Sequence, residues 1–336
     1  MKRIVECVPN FSEGRDKEVI RRIVEAIRTA ETDGEQVNVL HVDAGEAANR
    51  TVVTFVGSPE AVCEAAFQGV RAAGRLIDMR TQHGTHPRIG ATDVLPIVPV
   101  KGITLEECAT LARTLAKRIY DELGIPCYCY EAAAFRPERR NLAVCRAGEY
   151  ESLPEKISDP QRRPDFCPDD YNETVARSGA TVVGARNFLI AVNYNLNTTS
   201  VPLASEIACD VREKGRKVNG TWVRGTLKGC KAIGWYIEEY GIAQVSMNIT
   251  DIQATPLHKA YEEVCRAAAA RGVKVTGTEI IGLVPKFVLE EAGRYFEGRG
   301  MGDEGREDPI STAVRVMHLD DLCPFDVEKK VLDIDI

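Results

Sequence analysis

Residues 37–79 read "VNVLHVDAGEAANRTVVTFVGSPEAVCEAAFQGVRAAGRLIDM". "VNVLHVDAG" is rich in β-formers and ends in a polar turn, and "RTVVTFVG" is a second strand directly after it. Ser58 then stands at an N-cap with Pro59 in the first turn, so the rest reads as a helix. Two strands in succession followed by a helix break simple strand–helix alternation. Upstream, "RIVECVP" is a short strand ended by Pro9 and "NFSEGRD" a turn. Val19, Ile20, Ile23, Val24 and Ile27 then mark one face of a helix. Downstream, "TDVLPIVPV" is strand-like, with Pro96 and Pro99 favouring a sheet edge. The order strand–helix–strand–strand–helix–strand is the split βαβ, ferredoxin-like arrangement of the α+β class.

The same order returns in the second half. "FLIAVNYNLN" is a strand and "PLASEIACDVREKG" a helix. "CKAIGWYIEE" and "IAQVSMNITD" are strands joined by a tight turn near Tyr240–Gly241, and "TPLHKAYEEVCRAAAARG" is a helix. "VKVTGTEI" is a strand, "PKFVLEEAGRYFE" a helix, and "RGMGDEGREDP" a mobile loop. Between the halves, "TLEECATLARTLAKRIYDELG" is a helix closed by Gly124 and "IPCYCYE" a strand. Regular patterning fades from Ala134 to Gly179, a stretch long enough to be functional or a linker. The expected division is 1–179 and 180–330.

Composition narrows the function. The 336 residues suffice for about two domains. A net charge of −7 argues against nucleic acid, and an anionic substrate would need local Arg or Lys. The 11 cysteines are scattered, with no paired metal-ligand spacing, which reads as reduced thiols in a cytoplasmic protein. No apolar run reaches membrane-span length.

The chemistry concentrates in "DMRTQHGTHPRIGATDVLP", residues 78–96, which holds His83 and His86. Gly84 between them and Pro87 after them disfavour the helical geometry that would bring two histidines to one metal. An ordinary imidazole near pKa ~6.5 suits a general base; a plain solvent-exposed loop is the alternative. Asp43 ends a strand, where it either orients a histidine or caps its own turn. Arg50 and Arg88 are candidates to clamp carboxylates. "SGATVVGAR" lacks the residues of a phosphate loop, so no nucleotide site is expected there.

"VECVPNFSEGRD", "VDAGEAANRTVVTFVG", "HGTHPRIGATDVLPIVPV", "RAGEYESLPEK", "PDFCP", "GATVVGARNFLIAVNYNLNT" and "AQVSMNITDIQATPLHKAYEEV" together resemble the glutamate formimidoyltransferase family. The resemblance runs from about Val5 to about Pro324. It implies two ferredoxin-like subdomains, usually in a homodimer, with folate in a groove between them. It implies transfer of a formimidoyl group between N-formimidoyl-L-glutamate and tetrahydrofolate, a co-substrate, in histidine degradation, without metal or nucleotide. Many animal members carry a fused cyclodeaminase; here a separate one is expected. The catalytic histidine of the family's HPR-x-G motif falls on His86. The folate segment falls on Cys167–Gly179, comprising Cys167, Pro168, Asp169, Asp170, Tyr171, Ser178 and Gly179. Where the family has glycine after "PDF", this chain has Cys167, and the segment is a few residues longer. Asp43 is the expected support for His86, and Arg50 or Arg88 the expected carboxylate clamp. Formyl transfer, a folate-binding module without turnover, and a metal hydrolase are the rival readings.

Overall fold

The computed structural model describes residues 3–302 and 308–332. The chain divides into two units, Met1–Asn187 and Phe188–Ile336. The first opens with β1 (Ile4–Cys7), β2 (Asn10–Phe11), α1 (Lys17–Arg28), β3 (Asn38–Gly45), β4 (Arg50–Gly57), α2 (Pro59–Leu76) and β5 (Thr92–Lys101). β1 and β2 form one line of strand interrupted at Pro9. Both pair antiparallel with β4 on one side and β5 on the other, so Asn10–Phe11, read as turn from sequence, is strand. With β3 beside β4, the spatial order is β3–β4–β1/β2–β5. Local chemistry explains the boundaries. Asp16 and Ser58 cap α1 and α2 with side-chain oxygens.

Two further strands, β6 (Cys127–Glu131) and β7 (Thr181–Ala185), widen this sheet, and α3 (Leu105–Leu123) packs on it. α3 starts with a Thr104–Glu107 capping box and ends at Gly124, whose φ of 68° needs glycine. β7 inserts between β5 and β6, parallel to both. β5 is therefore an interior strand, not the edge its prolines suggested. Pro96 faces the break between β1 and β2, where its carbonyl accepts the Val8 N–H. Pro99 lies past Ile97, the last residue paired with β7. Each proline sits where one ladder is already interrupted, so no hydrogen bond is lost.

Side-chain alternation gives the sheet two faces. Val5, Cys7, Phe55, Leu95, Ile97, Cys127 and Cys129 share one core with α1, α2 and α3. Tyr128, Tyr130, Val94 and Val182 point the other way, into a core with Cys145, Leu153, Ile157 and Val175. The latter four lie on or beside α4 (Leu142–Arg146), α5 (Leu153–Ser158) and α6 (Glu173–Ser178). Ala134–Gly179 is thus a cover of the first unit's sheet rather than a linker. Its helices are too short to show a period.

The second unit runs β8 (Ile190–Leu196), α7 (Val201–Val211), β9 (Cys230–Ile237), β10 (Ile242–Ile249), α8 (Leu257–Ala269) and β11 (Val275–Ile281). Its sheet order is β9–β10–β8–β11, antiparallel throughout, and Gly241 turns between β9 and β10 at φ 64°. α9 (Lys286–Gly298) and α10 (Pro309–Met317) complete the unit. α10 was not anticipated; Asp308 caps it and Pro309 opens it. Positions 303–307 of the loop expected before it lie outside the described residues.

Candidate active site

The loop carrying the histidines is moulded onto the β3–β4 turn. Asn49, buried and left-handed at φ 48°, accepts the Gly14 N–H at 2.9 Å and donates to the His83 carbonyl at 2.7 Å. Thr85 Oγ1 donates to the Ala47 carbonyl at 3.1 Å. A Cβ on Gly84 would come within 2.3 Å of the Ala48 oxygen, which is why a residue without one sits there. The outcome separates the two histidines: His83 is exposed, His86 half-buried.

His86 stands against charge. Its Nδ1 lies 2.8 Å from the Pro87 carbonyl oxygen and 3.1 Å from Arg50 NH1. The first group only accepts and the second only donates, so one nitrogen satisfies one of them. The contact to the carbonyl is shorter, and Arg50 NH1 already donates to Asp93 Oδ2 at 2.6 Å. Nδ1 therefore carries the hydrogen, leaving Nε2 with a free lone pair. Arg146 NH2 reaches the same Asp93 oxygen at 2.7 Å, and the Ile89 N–H donates to Oδ1 at 3.0 Å. Asp93 is fully buried. Burial pushes its carboxyl up, but the Arg146 and Arg50 charges outweigh that and hold it below the usual carboxylate range. Burial and then the same two guanidiniums push His86 down as well, from 6.5 to about 3.

The remaining expected residues fall in several places. Asp43 Oδ2 faces His41 Nε2 at 3.8 Å; the carboxylate joined to His86 through Arg50 is Asp93. Arg88 spends every N–H inside the protein, on Gln82 Oε1 and carbonyl, Glu149, and both oxygens of Glu151. It locks the 149–151 segment to the histidine loop, and its carbonyl accepts the Tyr150 N–H. Gly179 pairs with Gly90, while Ser178 accepts the Ala91 N–H at 2.7 Å through its carbonyl. These two residues hold the end of the 167–179 segment against the end of the HPRIG motif. Cys167 Sγ and the Pro168 carbonyl accept from Arg163. Asp169 and Asp170 are exposed, and the Tyr171 hydroxyl lies 3.4 Å from that of Tyr150. Reading the sequence missed Asn49, Asp93 and Arg146. Asp93 did leave a signal: a carboxylate inside the apolar run "ATDVLPIVPV" must be paired if that strand is buried.

Gly179 has φ 66°, and a Cβ on it would meet the Ile89 oxygen at 2.3 Å. Gly179→Ala is expected to lower stability by about 1–3 kcal/mol, read by chemical denaturation. An unchanged midpoint would show that the backbone there relaxes freely. Among the described residues, no group of three or more His, Cys, Asp or Glu side chains is placed to hold a metal ion, and no helix is long and apolar enough to cross a membrane.

Comparison with known proteins puts this cluster in context. Residues 4–186 match the family described as "Formiminotransferase domain, N-terminal subdomain", and residues 191–336 match "Formiminotransferase domain". The chain is 47% identical over 334 residues to the formimidoyltransferase-cyclodeaminase of Gallus gallus. That match takes in 99% of this chain but 60% of the relative, so the chain spans about 60% of the length of such bifunctional relatives. It is 41% identical over 304 residues to the glutamate formimidoyltransferase of Thermoplasma acidophilum, covering 90% of this chain and 95% of that protein. For the enzyme of the same name from Streptococcus pyogenes serotype M1 the figures are 42% over 296 residues, 88% and 94%.

Proposed function

The chain belongs to the formiminotransferase family, and from that premise we propose that it moves a formimidoyl group between N-formimidoyl-L-glutamate and tetrahydrofolate. The products are 5-formimidoyltetrahydrofolate and L-glutamate, with His86 as the general acid and base. The observation that carries the reading is near end-to-end similarity to two glutamate formimidoyltransferases, at 41% and 42% identity. The order β3–β4–β1/β2–β5 in the first unit and β9–β10–β8–β11 in the second supports a ferredoxin-like reading of each. The N-terminal subdomain would carry His86 and the folate segment Cys167–Gly179. Eleven free thiols fit a reducing, cytoplasmic setting for a homodimer whose product passes to a cyclodeaminase.

The chemistry asks for one proton to leave and return. As the attacking amine bonds to the amidine carbon, Nε2 of His86 takes its proton. The same ring then gives that proton to the glutamate nitrogen as the old C–N bond breaks. No electrons change hands and no atom is left over. The Pro87 carbonyl holds the ring through Nδ1, so the lone pair is aimed before substrate arrives. Incubation of the purified protein with tetrahydrofolate and N-formimidoyl-L-glutamate, followed by the folate spectrum, tests this. Turnover with N-formyl-L-glutamate in its place would assign the formyl reaction instead, and silence with both donors would end the transferase reading.

The environment of His86 adds a pH prediction. Because kcat/KM reports the free enzyme, its acid limb should lie well below the 6.5 of an ordinary imidazole. A limb between pH 6 and 7 would mean that burial and Arg50 do not act on this ring as described.

A further inference from the structure

The cluster around His86 holds more positive charge than its own carboxylate balances. Arg50 NH1 and Arg146 NH2 both donate to Asp93 Oδ2, so with His86 neutral two guanidiniums share one anion. Arg50 uses its other edge, with Nε donating to Asn10 Oδ1 at 2.9 Å. Arg146 does not: its Nε is buried without a hydrogen-bond partner, although its side chain is only 14% exposed. A buried N–H without an acceptor is costly. A guanidinium that holds one carboxylate and keeps a further N–H unpaired has donors left for a second one.

We propose that Arg146, together with Arg50, is the receptor for the α-carboxylate of the amino-acid donor, and that Arg146 sets specificity for donors bearing one. This rests on the formimidoyl-transfer reading. Arg88 is not available for the task, since all its donors are engaged within the protein. The chemistry of the donor selects which carboxylate binds. Its α-carboxylate and the nitrogen that His86 must protonate share one carbon, and Arg50 NH1 lies 3.1 Å from the His86 ring. The carboxylates of folate itself lie beyond the aminobenzoyl group, far from the reacting nitrogen. A bound α-carboxylate makes two anions for two cations. It also removes the excess charge that, after burial, weakens His86 as a base. Among the described residues, the ring contacts Arg50 from β4 and the Pro87 carbonyl, and the charges of Arg50, Arg146 from α4 and Asp93 from β5 act on it. The base is therefore weak while the site is empty and strengthened when the donor arrives.

The test compares three donors: N-formimidoyl-L-glutamate, N-formimidoylglycine, which keeps only the α-carboxylate, and N-formimidoyl-4-aminobutyrate, which keeps only the distal one. With wild-type protein the aminobutyrate donor should lose roughly 10–100-fold in kcat/KM. Arg146→Gln should impose a loss of the same order on the first two donors and leave the third little changed, and Arg146→Lys should recover part of it. A second readout needs no variant: adding the unreactive N-acetyl-L-glutamate should raise the His86 titration midpoint seen by NMR, and N-acetyl-4-aminobutyrate should not. Equal losses across all three donors in Arg146→Gln, or a wild-type enzyme indifferent to the α-carboxylate, would overturn the receptor while leaving the transferase intact. Absence of transfer from every donor by wild-type protein would instead sink the function on which it rests.

Discussion

Replacing His86 with alanine is expected to slow formimidoyl transfer by about 10²–10⁴-fold while leaving tetrahydrofolate binding nearly unchanged. That range is the usual worth of a positioned proton-transfer group. The expectation follows from geometry as much as from family. Nδ1 is held by the Pro87 carbonyl beside Arg50, and the free lone pair is on the other nitrogen. His83, three residues earlier, is exposed, and its backbone carbonyl accepts from Asn49. His83→Ala should therefore cost far less. Single-turnover kinetics with each variant separate chemistry from release. If the two substitutions slow the chemical step alike, His86 is not the shuttle. Loss of folate binding in His86→Ala, with unchanged single-turnover rate at saturation, would make it a binding residue instead.

Asp93→Asn is expected to be the most damaging conservative change in the first unit, at about 3–5 kcal/mol of folding stability. Asparagine keeps the shape but removes the anion, so Arg50 and Arg146 are left as buried like charges at one point. The measure is the denaturant midpoint at neutral pH. A loss below about 1 kcal/mol, within the range of exposed ion pairs, would mean that water screens the cluster. The same pairing sets a pH dependence. Asp93's folded pKa lies below its unfolded value, so its contribution is complete above the unfolded value of ~3.9 and is lost as pH falls through the folded one. Wild-type stability should drop in that acid range, and Asp93→Asn should flatten the drop.

Much of this molecule is readable along the chain because it is local. Asp16, Ser58, Thr104 and Gly124 announce helix ends by chemistry confined to a few residues. The paired strands at 38–57 and 230–249 declare themselves by composition and by the turns between them. His86 is singled out through its motif, and Gly84 and Pro87 disfavour a helical metal pair.

What only the tertiary structure decided is pairing at a distance. β7 is a short apolar run buried on both faces, and such a strand has no alternation to reveal it. Its insertion beside β5 turned an expected edge into an interior strand, because the prolines fall at gaps in the ladder. Asp93 could not be read as part of the site from the chain, because Arg50 and Arg146, 43 and 53 residues away in sequence, converge on it only in the fold. The order of elements follows from short-range stereochemistry, whereas the balance of buried charge around one imidazole is a sum over groups that meet only after folding.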